Sequence, residues 1–405
     1  MIYLEESPTP IYSRIVKALG RELARRGHDV LLVKPAGFNA ATFPTFLRGQ
    51  GADAVYVSTA GSNAFQQRGE GCAGHFFEDF PGRIVFVHQD ALLGGLAFEA
   101  ALAKLQAWRR VAARSWHLCI EPDSVAALQA CGIAQAGWVP HASEFAPTEP
   151  LPVPECRHTA SFVGHVLPWG FQPRAANPSL EHLIDGLLLL RSADLTTSLH
   201  DRLQPWVDRQ FSALGEPQET VLSRQAYIHW LRHQFNLRSM AFRGRTLEEA
   251  AAAGIAEAGD LTVYGGDPAY LHRVDRQATL GAAIRHQPPV YEEAAVQAIF
   301  RGTACSINIT SLQFDHAVVN RFHDVFLAGG LCLTDARPGL AELTREHAEI
   351  SFRNAAELAD RVRHFSHPSR SMQRRRLIEA VQQELLQRSG YPLLAEAIDR
   401  ALAAL

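Results

Sequence analysis

The sequence has few of the short signatures that assign a reaction class, and each absence removes one. No G-x-G-x-x-G follows the first strand-like segment, which argues against a dinucleotide oxidoreductase. No G-x-x-x-x-G-K-S/T occurs, so a P-loop enzyme is excluded, and no G-x-S-x-G elbow is present. H-E-x-x-H and cysteine clusters suited to zinc are missing. D-x-D, the usual carboxylate pair for a metal-bound nucleotide diphosphate, is also missing. The six cysteines (Cys72, Cys119, Cys131, Cys156, Cys305 and Cys332) are scattered, with no C-x-x-C, and read as reduced buried thiols. No apolar run approaches the roughly 18 residues that a spanning helix needs. The opening "MIYLEESPTP" lacks the layout of a signal peptide, so a cytoplasmic location is expected. With 39 basic and 42 acidic residues the net charge is −3. Such a chain has no global field for nucleic acid or an anionic membrane, and its affinity must come from a local site.

What is present is a repeated alternation of short apolar strands and helical segments over 405 residues, enough for two domains. In 1–147, "RIVKALGRELARRGHDVLLVKPAG", "GADAVYVST", "GRIVFVHQD" and "SWHLCIEPDSVAALQACGI" give helix and strand in turn. Continuous apolar strands with helices between them mean a parallel sheet covered on both faces. A proline-rich stretch, "EFAPTEPLPVPE", marks a linker placed at 148–158. Alternation resumes in "TASFVGH", "LTVYGGD", "ACSINIT", "GGLCLTD" and "AEISF", giving a second Rossmann-like domain over 159–385. A helical block at about 178–258 is inserted in it. The tail 386–405 is an amphipathic helix that can pack back on the first domain.

Ligands of open α/β sheets bind beyond the carboxyl ends of the strands. The stretch "CSINITSLQFDHAVVNRFHDVFLAGGLCLTD" places polar residues there. Asn320, Arg321 and Asp324 share one helical face by their i, i+3 and i+4 spacing. A carboxylate can accept from vicinal hydroxyls, and an arginine can grip a diphosphate with its planar fork. Thr310 and Ser311 lie just past a strand end, where phosphate oxygens are well received. The competing reading is an Arg321–Asp324 surface pair worth under about 1 kcal/mol. Gly164 and His165, and Gly265, Gly266 and Asp267, follow other strands and are candidates for the diphosphate and the base. In the first domain His88 and Asp90 follow "RIVFV" and are candidates to deprotonate or hold an acceptor hydroxyl. His141, near the linker, reads as structural.

"SINIT…NRFHDVFLAGGLCLTDARPGLAEL…AELADRVRHF" resembles the carboxyl-terminal signature of the CgeB-type, spore-maturation-protein-like branch of the group 1 glycosyltransferases. The family's pattern runs from a strand ending N-x-T through R-x-F-E/D and a Gly-Gly turn to L-T-D and E-L. "PPVYEEAAVQAIFRGT" and "LTVYGGD" resemble the segments before it. The resemblance implies a GT-B fold: two Rossmann-like domains facing across a cleft, with the nucleotide sugar on the carboxyl-terminal domain and the acceptor on the first. It implies metal-independent transfer from a UDP-, GDP- or dTDP-sugar to a protein, glycan or small-molecule hydroxyl, with no cofactor. Asp324 matches the second acidic residue of the superfamily's E-x7-E motif, the ribose contact, and Arg321 matches a family arginine assigned to the diphosphate. The first acidic position falls on His316, with Asp315 beside it. His316 therefore joins His88 and Asp90 as a catalytic candidate. A nucleotide-sugar epimerase of the same fold and an inactive binding module are the alternatives. Neither nucleic acid nor a membrane is expected as a partner, and the helical block offers a route to a homodimer.

Overall fold

The computed structural model describes residues 1–6, 10–34, 38, 42–59, 75–212, 218–265 and 284–405. Among the described residues twelve strands form two six-stranded sheets, and every pairing is parallel. The first sheet contains β1 (Ile2–Glu5), β2 (Val30–Val33), β3 (Val55–Ser58), β4 (Arg83–His88), β5 (Ser115–Cys119) and β6 (Ala136–Trp138). Its order is β2-β1-β3-β4-β5-β6. The second contains β7 (His158–Val163), β8 (Leu261–Tyr264), β9 (Ile284–Gln287), β10 (Thr303–Asn308), β11 (Cys332–Asp335) and β12 (Ser351–Phe352). Its order is β12-β11-β10-β7-β8-β9.

Alternation along each strand builds a core on both faces of the first sheet. Tyr56, Ile84, Phe86 and Trp108 pack on one face. On the other, Leu4, Val57, Val85 and Val87 pack against Val16 and Leu19 of the helix Pro10–Arg25 and Leu394 and Ile398 of the helix Tyr391–Ala404. Fully burying side chains of this size contributes about 1.5–3 kcal/mol each.

The chain divides into two compact units. One comprises Met1–Glu144, Leu203–His233 and Ser389–Leu405, the other Phe145–Arg202 and Gln234–Arg388. Two expectations change here. The block 178–258 is helical, in Pro178–Ala193, Leu199–Phe211, Gln218–Asn236 and Ser239–Ala250, but it does not belong wholly to the second domain. Leu222 and Ala226 complete the core of Tyr56 and Phe86 in the first unit, and Tyr227 meets Phe98 edge to face. The stretch 148–158 is not a free tether. Its prolines lack N–H groups, yet several of its other backbone groups are hydrogen-bonded to the rest of the second unit. Thr148 N donates to Leu327 O, Gln382 Nε2 donates to Thr148 O, and Arg374 Nη1 donates to Leu151 O.

The Gly329–Gly330 turn between the helix Asn320–Leu327 and β11 has the close packing that demands glycine. At Gly329 φ is +82°, and a Cβ there would lie 2.8 Å from Thr148 O. Five cysteines are free, and Cys72 lies outside the described residues. Among the described residues no helix is long and apolar enough to cross a membrane.

Candidate functional site

Because the second sheet is parallel, its strands all deliver their carboxyl ends to one edge. There β7 runs into Gly164, β8 into Gly265, β10 ends at Asn308, and β11 ends at Asp335. Arg321, on the first turn of Asn320–Leu327, lies across this edge. Its Nη1 donates to Asn308 Oδ1 at 3.1 Å, and its guanidinium carbon sits 5.0 Å from the centre of the Phe162 ring. Asn308 is fixed in turn, donating from Nδ2 to Thr334 Oγ1 at 2.9 Å. Gly164 makes room for the arginine: a Cβ there would come within 2.6 Å of Arg321 Nη2, and φ is +153°. Gly265 lies against Gly164, with φ +143° and space for a Cβ only 2.2 Å from the Gly164 carbonyl oxygen.

A second arginine joins from the inserted block. Arg243, on Ser239–Ala250, donates from Nε to Ile309 O at 2.9 Å and from Nη2 to Ser311 Oγ at 2.8 Å. Both guanidiniums are half-buried, and among the described residues their hydrogen-bond partners are all neutral. Burial and then repulsion from Arg321 lower the Arg243 pKa to about 9, with Asp335 pulling the other way. Burial lowers the Arg321 pKa as well, against the pull of Asp324 and Asp335. Two cations that repel one another, with no paired carboxylate among the described residues, have the chemistry to receive an anion.

Beneath them runs a buried ion network. Asp335 receives Arg337 Nε at 2.7 Å and Thr310 N and Oγ1 at 2.9 and 2.8 Å. Burial favours protonation of Asp335, but Arg337, Arg191 and these donors hold its pKa below the usual carboxylate value. Thr310, a candidate for phosphate contact, is engaged here instead. It is 1% exposed, and both of its donors are committed to a carboxylate that sequence reading had not singled out. Ser311 is engaged with Arg243 and shapes the site through it.

The remaining candidates separate. Asp324 is 8% exposed on the helix that carries Arg321, and Asn320 is half-buried at its start. His165 is exposed, its Nε2 3.5 Å from Tyr291 Oη. Gly266 and Asp267 lie outside the described residues. His316 sits 3.2 Å from Glu342 Oε1, and its carbonyl accepts from Gly339 N. Asp315 is locked by Arg191 Nη1 at 3.2 Å and His200 N at 2.7 Å, which suits a structural carboxylate. In the first unit His88 pairs with His117 and Asp90 accepts from Tyr12 Oη, so these two candidates belong to different hydrogen-bonded pairs. His141 Nδ1 lies 3.1 Å from Gln89 Oε1. Arg243 escaped sequence reading because its helix carries no motif and its neighbour Arg321 is far along the chain.

Residues 238–398 match the glycosyl transferase-like family. No curated protein matches the sequence. Among solved structures the chain is similar to Anabaena Alr3699/HepE in complex with UDP, at 11% identity and TM-score 0.54, covering 100% of this chain and 99% of that one. It is also similar to the DNA modifying enzyme beta-glucosyltransferase, solved with and without its substrate uridine diphosphoglucose. There the identity is 10% and the TM-score 0.52, over 99% of each chain. These likenesses show a GT-B fold, and with the match over 238–398 they support a glycosyltransferase.

Proposed function

We propose that this protein transfers a sugar from a nucleoside-diphosphate sugar, held by the second unit, to an acceptor hydroxyl. The observation that carries this reading is the Arg321–Arg243 pair. Two half-buried guanidiniums that repel one another stand at the carboxyl edge of a parallel sheet, and among the described residues their hydrogen-bond partners are neutral. A diphosphate supplies the charge that this arrangement lacks. In the transfer the acceptor hydroxyl oxygen bonds to the anomeric carbon and its proton passes to the departing diphosphate or to solvent, while the bond from that carbon to the phosphate oxygen breaks. The electron pair leaves with the diphosphate, where the arginines stabilise the growing charge. This role does not call on a metal ion, so transfer is metal-independent. Asp324, one turn along the same helix, receives the ribose hydroxyls. The acceptor is a protein, glycan or small molecule taken by the first unit. The order Asn308, Arg321, Gly329–Gly330, Asp335 supports placing the chain in the CgeB-like branch. The solved relatives carry UDP or UDP-glucose, which makes UDP the first ligand to test.

The test is a thermal-shift screen with UDP, GDP, dTDP and CMP. One nucleoside diphosphate should raise the melting temperature, since saturation to a hundred times Kd adds about 2.7 kcal/mol to stability. No shift from any of the four would refute the reading.

A further inference from the structure

At the carboxyl edge of the first sheet, the row of side chains facing the helix Phe98–Arg110 turns polar. Alternation carries Tyr3 to Glu5, Tyr56 to Ser58, and Phe86 to His88, while His117 stands beside Phe86 in register. Ser58 Oγ donates to Glu5 Oε2 at 2.5 Å. His88 Nε2 and His117 Nδ1 share a hydrogen bond of 3.0 Å, their rings stacked at 5.3 Å and 7°. Trp108 stands edge-on to both imidazoles, at 5.3 and 5.1 Å. Lys104 is 6% exposed, and its ammonium lies 5.0 Å from the centre of the Trp108 ring. It is one of three lysines in a chain that otherwise relies on arginine.

Among the described residues Lys104 makes no hydrogen bond or ion pair, and Trp108 Nε1 and His117 Nε2 are buried without a partner. Burial lowers the Lys104 pKa to about 7 although Glu5 opposes this, and burial with Lys104 lowers His88 to about 3. A buried donor left unsatisfied is costly, so Trp108 Nε1, with the Lys104 ammonium over its ring, calls for an acceptor. The chemistry of the set, an ammonium and an indole N–H beside a neutral imidazole pair, selects negatively charged oxygen.

We propose that this layer binds the oxyanion of a ligand, a carboxylate or a phosphate, through Lys104 and Trp108. Resting on the transferase reading, that ligand is the acceptor, which is then an acidic molecule. Lys104 supplies charge and Trp108 Nε1 supplies direction.

The test is titration of the 15N-labelled full chain with sodium phosphate and, separately, sodium acetate, at ionic strength fixed with chloride. The readout is the Trp108 indole N–H signal, assigned with Trp108→Phe. A saturable shift with phosphate identifies a phosphate ligand, and one with acetate identifies a carboxylate. Either shift should be lost in Lys104→Met, which keeps the apolar stem and removes the buried charge. No saturable shift with either anion, or the same shift in Lys104→Met, overturns the proposal. The first of those outcomes needs only the unaltered protein. UDP is titrated in parallel. UDP binding without an anion shift rejects this inference alone, and an anion shift without nucleotide binding rejects the donor reading alone.

Discussion

Replacing Arg321 with methionine isolates the charge at the proposed donor site. Methionine keeps part of the apolar stem, while the guanidinium and its contact with Phe162 are lost. On the bound side, losing a charged hydrogen bond costs about 1.5–3 kcal/mol, so the affinity for UDP should fall on the order of ten- to a hundredfold. On the folded side, the change removes a cation–π contact worth about 0.5–1 kcal/mol and leaves Asn308 Oδ1 short of one donor, about 1 kcal/mol more. Against this, it removes a half-buried cation that has no carboxylate partner, so the melting temperature should move by only a few degrees. Calorimetry with UDP and with uridine separates the roles. Uridine lacks the diphosphate and should bind Arg321→Met about as well as it binds the unaltered protein, while UDP binding weakens. Unchanged UDP affinity, or an equal loss for uridine, would refute the assignment of Arg321 to the diphosphate.

Gly164→Ala should weaken UDP binding without touching the nucleotide. A Cβ 2.6 Å from Arg321 Nη2 must displace the guanidinium, and the double variant with Arg321→Met should therefore lose less than the sum of the two. Turnover should persist in excess chelator; abolition by EDTA with rescue by magnesium or manganese would show that the arginines are not sufficient. Asp335 carries a depressed pKa, so its stabilising effect is complete above the unfolded value of about 3.9 and is lost as pH falls through the lower folded value. Asp335→Asn removes the nearer carboxylate of buried Arg337, leaving only Asp315 at 4.0 Å, and should cost up to about 3–5 kcal/mol, with a flatter acid limb in the melting profile. A profile that matches the unaltered protein in both height and slope would show that the network is dispensable.

The sequence by itself determined the architecture. Runs such as Val55–Ser58 and Cys332–Asp335, with helices between them, could bury both faces only as parallel sheets, and the glycine pair at 329–330 marked the turn into β11. It also singled out Arg321 as a candidate, because its spacing from Asn320 and Asp324 is a local property of one helix. Only the tertiary structure decided what those groups touch. Arg243 reaches Ser311 from a helix in the inserted block, and Thr310 turns its hydroxyl and N–H to Asp335. Leu203–His233 completes the core of the first unit although it sits in the sequence of the second. Helical and strand periodicities report which face a residue occupies over a few turns. Hydrogen bonds and ion pairs between residues tens of positions apart depend on strand order and chain crossings, and no local pattern in the sequence encodes those.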